Sequence, residues 1–99
     1  MALLFDDNDD RYLQWLTQNP GGLVVNCRRT PSSEYMVLHT ATCPHISKIR
    51  RNQRAGGFTE KSYVKLCGTS EDDLRKAIRE FDAQDFSKVC RCMATKNRF

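Results

Sequence analysis

Along the chain, apolar positions recur with two different spacings, and the alternation between them sets the expected architecture. Tyr12, Leu13, Trp15 and Leu16 fall three and four apart, the spacing that places side chains on one face of a helix. Asn8 or Asp9 can cap that helix, and early acids suit the positive end of its dipole. Asn19-Pro20-Gly21-Gly22 ends it, so a helix is predicted over 9–19. Leu23-Val24-Val25-Asn26-Cys27 then has the β-branched density of a strand, Arg28 to Glu34 reads as a hairpin connection, and Tyr35 to Leu38 as the returning strand. Tyr63 to Cys67 alternates apolar and polar residues up to Gly68. Ser70 and Asp73 form a capping pair ahead of Leu74, Ala77, Ile78 and Phe81, which predicts a helix over 70–82. Phe86 to Met93 reads as a last extended piece. The expectation is an α+β domain: a small, mainly antiparallel sheet of about four strands, near 23–27, 35–39, 63–67 and 87–92, with two packed helices.

Length narrows this to one domain spanning 1–99, divided into the first helix, a sheet region over 23–67, the helix 70–82 and a C-terminal strand and tail over 86–99. Hydrophobic residues make up 39% of the chain, enough for one modest core. No apolar run approaches the roughly 18 residues of a membrane span. The N-terminus, Met-Ala-Leu-Leu-Phe followed by acids, has no basic stretch ahead of a long apolar one, so a cytoplasmic location is expected. In that reducing setting the five cysteines are expected as thiols or metal ligands rather than disulfides.

Cysteine and histidine placement is the most informative chemistry. His39, Cys43 and His45 crowd into seven positions after a strand, and Cys90 and Cys92 form a second pair near the end. Zinc takes four thiolates or neutral imidazoles in a tetrahedron, often as two close pairs from distant parts of a chain. The candidate set is therefore His39, Cys43, Cys90 and Cys92, with His45 and Cys67 as alternates. The competing interpretation makes Cys27, Cys67, Cys90 and Cys92 small buried hydrophobes. No phosphate-binding glycine loop, nucleophile elbow or dinucleotide fingerprint is present, and the carboxylates cluster at helix starts, so no catalytic residue is assigned.

Charge adds a candidate partner. The net charge is +4, but residues 1–27 set Asp6, Asp7, Asp9 and Asp10 against Arg11, whereas the middle of the chain is strongly basic. Arg28, Arg29, Lys48, Arg50, Arg51, Asn52, Arg54, Lys61 and Lys65 are the candidate nucleic-acid contacts: guanidinium groups grip phosphates, and amides pair with base edges. Phe58, Tyr63 and Tyr35 are candidate stacking groups, each also explained as a core residue beside a strand. The expected function is a small non-catalytic nucleic-acid-binding module, DNA being the favoured target, accessory to a DNA-processing or defence system. The alternative is a modulator or inhibitor of phage or plasmid type that binds a protein and no nucleic acid.

The string Tyr35-x-x-x-His39-x-x-x-Cys43-Pro-His45-Ile46, followed by Phe58-Thr59, a helix and Cys90-x-Cys92, resembles the small zinc-binding domain of the Ada methylphosphotriester-repair family over about the last two-thirds of the chain. The resemblance implies zinc held by His39 and Cys43 as one pair and Cys90 and Cys92 as the other. In that family a zinc-bound thiolate of the first pair accepts a methyl group, which here leaves only Cys43 for that role. The chain departs from the family in having Cys-x-Cys for Cys-x-x-Cys, a longer basic insert between Ile46 and Phe58, and an added N-terminal helix and strand.

Overall fold

A computed structural model describes residues 2–30, 32–48 and 56–93. The elements run β1 (Leu3–Phe5), α1 (Asp9–Gln18), β2 (Leu23–Arg28), β3 (Met36–Thr40), α2 (Pro44–Ser47), β4 (Tyr63–Gly68), α3 (Glu71–Ile78) with a 3₁₀ turn over Arg79–Phe81, and β5 (Lys88–Val89). The five strands form one mixed sheet in the order β1-β4-β2-β3-β5, antiparallel except for the β3–β5 pair. This is the expected small α+β fold. It has one strand more than expected, because three residues at the start, Leu3 to Phe5, pair with Cys67, Leu66 and Lys65.

Both principal helices start where the sequence places them. Asn8 caps α1 by accepting from the Arg11 amide at 2.9 Å, and Ser70 caps α3 by accepting from Asp73 N at 3.1 Å. Gly22, at the end of the turn after α1, is required by contact: a Cβ there would lie 2.6 Å from the Trp15 ring. The expected last strand is the part that shrinks. Only Lys88–Val89 pairs with β3, and Met93 N already turns back to Cys90 O at 3.0 Å.

Strand alternation sorts the sheet into two faces. One carries Leu23, Val25, Cys27, Met36, Leu38, Val64 and Leu66, and α3 lays Leu74 and Ile78 across it. The register of β2 between β3 and β4 stacks the opposite face in rows: Tyr35, Arg28 and Tyr63 at one end, then Val37, Asn26 and Lys65, then His39, Val24 and Cys67. Helix α1 covers part of this face through Tyr12 and Leu16, which pack with Val24, Cys67, Ile46 and Phe58. Among the described residues, no helix is long and apolar enough to cross a membrane.

Candidate metal centre

The site begins at the end of β3. His39 is 6% exposed, on the face that α1 covers, and Thr40 to Thr42 turn the chain away from the sheet. Cys43 precedes a proline, which disfavours helical backbone at Cys43 and favours an extended conformation. Its φ of −63° and ψ of 124° are of that kind, and Pro44 then opens α2. Three bonds fix the turn: Cys43 N to Thr40 O at 3.1 Å, Ile46 N to Cys43 O at 3.2 Å, and Ser47 Oγ to Cys43 O at 2.7 Å. Ile46, 2% exposed, plugs the turn into the core, and its carbonyl accepts from the Tyr12 hydroxyl of α1. The N-terminal helix thus anchors the knuckle.

The second half arrives through β5. Ser87 N donates to Met36 O and Cys90 N to Leu38 O, each at 2.9 Å, while Met36 N donates to Ser87 Oγ at 2.8 Å. Because β5 runs parallel to β3, Cys90 emerges at the end where the knuckle forms. The donor atoms of His39, Cys43, His45 and Cys90 all lie within 4.8 Å of one another. Cys43 Sγ and Cys90 Sγ are 3.8 Å apart, and Cys90 Sγ lies 3.7 Å from His45 Nδ1. A tetrahedron built from metal–sulfur bonds of about 2.3 Å and metal–nitrogen bonds of about 2.0 Å has edges of about 3.8 Å between sulfurs and about 3.5 Å between sulfur and nitrogen. The observed spacings fit it.

A further observation concerns polar satisfaction. His39 Nδ1 is buried and has no hydrogen-bond partner among the described residues, an arrangement that is costly unless something satisfies the nitrogen. Burial, followed by the nearness of His45 and Lys65, lowers the His39 pKa to about 4, so the ring is neutral at pH 7, the form that ligates metal. The Cys43 thiol is pushed up, chiefly by burial. Cys92 goes the other way: burial raises it, but the Thr40 amide and hydrogen bonds from Cys90 and Cys43 hold it below the ordinary thiol value. These four side chains can hold one metal ion.

Compared with the expected set, His39, Cys43 and Cys90 stand together, and His45, expected only as an alternate, belongs with them. Cys92 sits beside the group as a third sulfur, touching Cys43 and Cys90 and accepting the Thr40 N–H at 3.1 Å. Cys67 is a correction: it is fully buried in the core and lies on β4, separated from His39 by β2. The signal for His45 was its place in the same seven-residue crowd of ligand types as His39 and Cys43.

The expected nucleic-acid contacts divide three ways. Arg50, Arg51, Asn52 and Arg54 lie outside the described residues. Arg28, Lys48 and Lys61 are exposed. Two others bond within the fold, Lys65 buried and Arg29 exposed. Lys65 is 4% exposed, with Nζ donating to Asn26 Oδ1 at 2.7 Å and Phe58 O at 2.8 Å, and burial lowers its pKa to about 8. Arg29 spends its guanidinium on the carbonyls of Lys61, Asp6 and Thr59, pinning the returning chain to β1 and β2. Both were legible only as positive charges; that they satisfy backbone carbonyls depends on the tertiary path. Of the candidate stacking groups, Phe58 is core at 5% exposure, whereas Tyr63 is 37% exposed and Tyr35 half-buried. No family model, curated protein or solved structure matches the chain.

Proposed function

We propose that the chain is a small, metal-stapled nucleic-acid-binding module with no chemistry of its own, and that the metal is zinc. The observation that carries this reading is the convergence of His39, Cys43, His45 and Cys90 from two distant segments, their donor atoms all within 4.8 Å of one another. Two imidazoles and two thiolates suit zinc, and a closed four-ligand site is structural rather than catalytic. Bound zinc supplies cross-linking here. His39 and Cys43 anchor it to β3 and the knuckle, His45 closes the exposed side, and Cys90 ties in the short β5.

The nucleic-acid half of the proposal rests on what the staple holds in place. The basic segment carrying Arg50, Arg51 and Arg54 departs from the knuckle just after Lys48 and rejoins the fold at Gly56, next to Phe58 and Thr59. Asp9 fixes that rejoining point by accepting from Phe58 N, Thr59 N and Thr59 Oγ1 at 3.2, 2.7 and 2.6 Å. The acidic N-terminal helix therefore spends a carboxylate on fixing the chain at Phe58 and Thr59, shortly after the basic segment in sequence. The resemblance to the Ada zinc domain implies three of these ligands, His39, Cys43 and Cys90, with Cys92 in place of His45. Methyl acceptance by Cys43 is disfavoured by its 2% exposure, since the reaction needs an accessible thiolate.

The test is native mass spectrometry with and without chelator, followed by titration of labelled nucleic acid at two salt concentrations. One zinc per chain, with salt-dependent binding that weakens when Arg50, Arg51 and Arg54 are neutralised together, is the expected result. A chain that takes up no metal removes the staple, and one that ignores nucleic acid favours the protein-binding alternative. The outer edge of β1, where Leu3 and Leu4 are 47% and 44% exposed, is the observation on that side.

A further inference from the structure

The face that α1 covers is left partly open. Past the knuckle and Tyr12, which lies over Lys65, a cleft of ≈ 480 Å³ opens over Tyr35, Val37 and Asn26 between β3, β5 and the knuckle. Its floor includes Asn26 and Val37, one wall is Tyr35, and Lys88, Arg91 and His45 stand around it. No aspartate or glutamate lines it. Beyond Tyr35 the surface continues onto Arg28, whose guanidinium lies over the Tyr35 ring at 5.3 Å, and onto Tyr63, whose ring centroid is 5.6 Å from that of Tyr35.

We propose that this open face binds single-stranded nucleic acid, with unpaired bases stacking on Tyr35, Tyr63 and the Arg28 guanidinium plane and phosphates held by Lys88 and Arg91. The proposal rests on the reading of the chain as a nucleic-acid-binding module and names the form of nucleic acid and the site.

The physical case has three parts. Aromatic rings interleaved with cations on a sheet surface provide what an unstacked base and its phosphate each need. Tyr35 and Tyr63 are tilted by 46° rather than stacked flat on each other, so Tyr63 keeps ring surface in solvent. Asn26 is also pre-oriented: Lys65 Nζ donates to its Oδ1 at 2.7 Å, which fixes the amide so that Nδ2 donates to the Tyr35 hydroxyl at 3.3 Å. A buried lysine thus acts as a positioning group beneath the floor, and the second N–H of the amide is the donor offered to a base carbonyl. The cleft falls within the roughly 300–1,000 Å³ of small-ligand sites, room for one nucleotide. A duplex keeps its bases stacked and offers this surface no ring to bind.

The experiment uses the full metal-loaded chain and fluorescence anisotropy against a labelled single-stranded oligonucleotide and the duplex of the same sequence, as DNA and as RNA. Tyr35→Leu and Tyr63→Leu keep apolar bulk and remove the ring, and Lys88→Ala with Arg91→Ala touches only exposed side chains. Circular dichroism and metal content confirm that each variant is folded. Tighter binding to single strand than to duplex is expected, falling about 10-fold with each tyrosine replaced. The double cation variant should show a shallower salt dependence, since phosphate contacts set that slope. Preference for duplex with no response to the tyrosines would overturn this site while leaving the broader reading intact. Failure of the parent chain to bind any strand would sink the broader reading itself.

Discussion

On the α3 side of the sheet, Val25, Leu38, Val64 and Leu66 meet Leu74 and Ile78, and the contact is almost wholly hydrocarbon. On the α1 side the same strands present Asn26, His39 and Lys65 alternately with Val24, Val37 and Cys67, and the cover is a tyrosine, a hydrogen-bonded knuckle and a group of thiols and imidazoles. The first side is stabilised by removing apolar area from water, about 25 cal/mol per Å². The second relies on buried polar groups finding partners: Lys65 with Asn26 and Phe58 O, Thr59 with Asp9, Tyr12 with Ile46 O. Among the described residues, His39 Nδ1 is the buried side-chain nitrogen without such a partner, and it lies within a cluster of ligand-type side chains. A conventional core tolerates one loosened contact. A polar face depends on each of its partners being in place.

The largest expected effect comes from breaking the polar side at its staple. A ligand that binds only the folded chain stabilises it by about 4 kcal/mol when its free concentration is 1,000 times Kd. Chelation, or Cys43→Ser, is therefore expected to release the metal and lower the melting temperature at least as much as a typical core truncation on the other face. Cys92→Ser is expected to keep one metal per chain, because four donors remain without it. Native mass spectrometry and thermal unfolding read both. Loss of metal in Cys92→Ser with retention on replacing His45 would restore Cys92 as the fourth ligand.

Next in size is the same experiment on the apolar side. Leu74 is fully buried, and Leu74→Ala leaves a cavity costing about 2–5 kcal/mol. Denaturant unfolding should show that loss with metal stoichiometry unchanged. Coupled loss of metal would mean that the two faces are not independent.

The same division explains what the sequence makes legible. The helix over Leu74, Ala77 and Ile78 and the strands at 23–27 and 63–67 declare themselves through spacing, because an apolar face needs nothing beyond periodicity. The pairing of His39 and Cys43 with Cys90 was visible as a concentration of ligand types. The roles of Lys65 and Arg29 were not, since a charge that satisfies backbone carbonyls looks in the sequence like one that faces water. Strand β1 escaped notice because three residues are too few for a period, and its pairing with β4 is a long-range event. Tyr63 was hidden for a related reason: whether an aromatic beside a strand is covered depends on how far α1 extends over the sheet.

Acid should separate the faces further. His39 has a folded pKa of about 4 against an ordinary 6.5, so between those values the unfolded chain takes up a proton that the folded one refuses. Its stability contribution is therefore complete above pH 6.5 and is lost as pH falls toward 4, by up to about 3 kcal/mol. Protonation of ligands acts on bound metal in the same direction. The melting temperature of the parent is expected to fall across that window more steeply than that of His39→Gln. Parallel slopes would assign the acid sensitivity to other groups.

The smallest expected effect isolates a single bond on the polar side. Tyr12 is fully buried, and its hydroxyl donates to Ile46 O, the link between α1 and the knuckle. Burial, reinforced by neighbouring Cys67, Asp9 and Cys43, raises the Tyr12 pKa well above the ordinary tyrosine range, so the group stays a neutral donor at any working pH. Tyr12→Phe keeps the ring packed against Phe5 and Phe58, whose centroids lie 6.0 and 5.6 Å away, and removes only the donor. The Ile46 carbonyl is then left buried without this donor, which costs about 1–2 kcal/mol. If α1 merely caps the core, that is the whole effect. Because α1 also anchors the turn bearing Cys43 and His45, Tyr12→Phe should additionally speed metal loss to a competing chelator, whereas Leu74→Ala, though more destabilising, should speed it less. Equal release rates at matched stability would show that the knuckle is held by global folding alone.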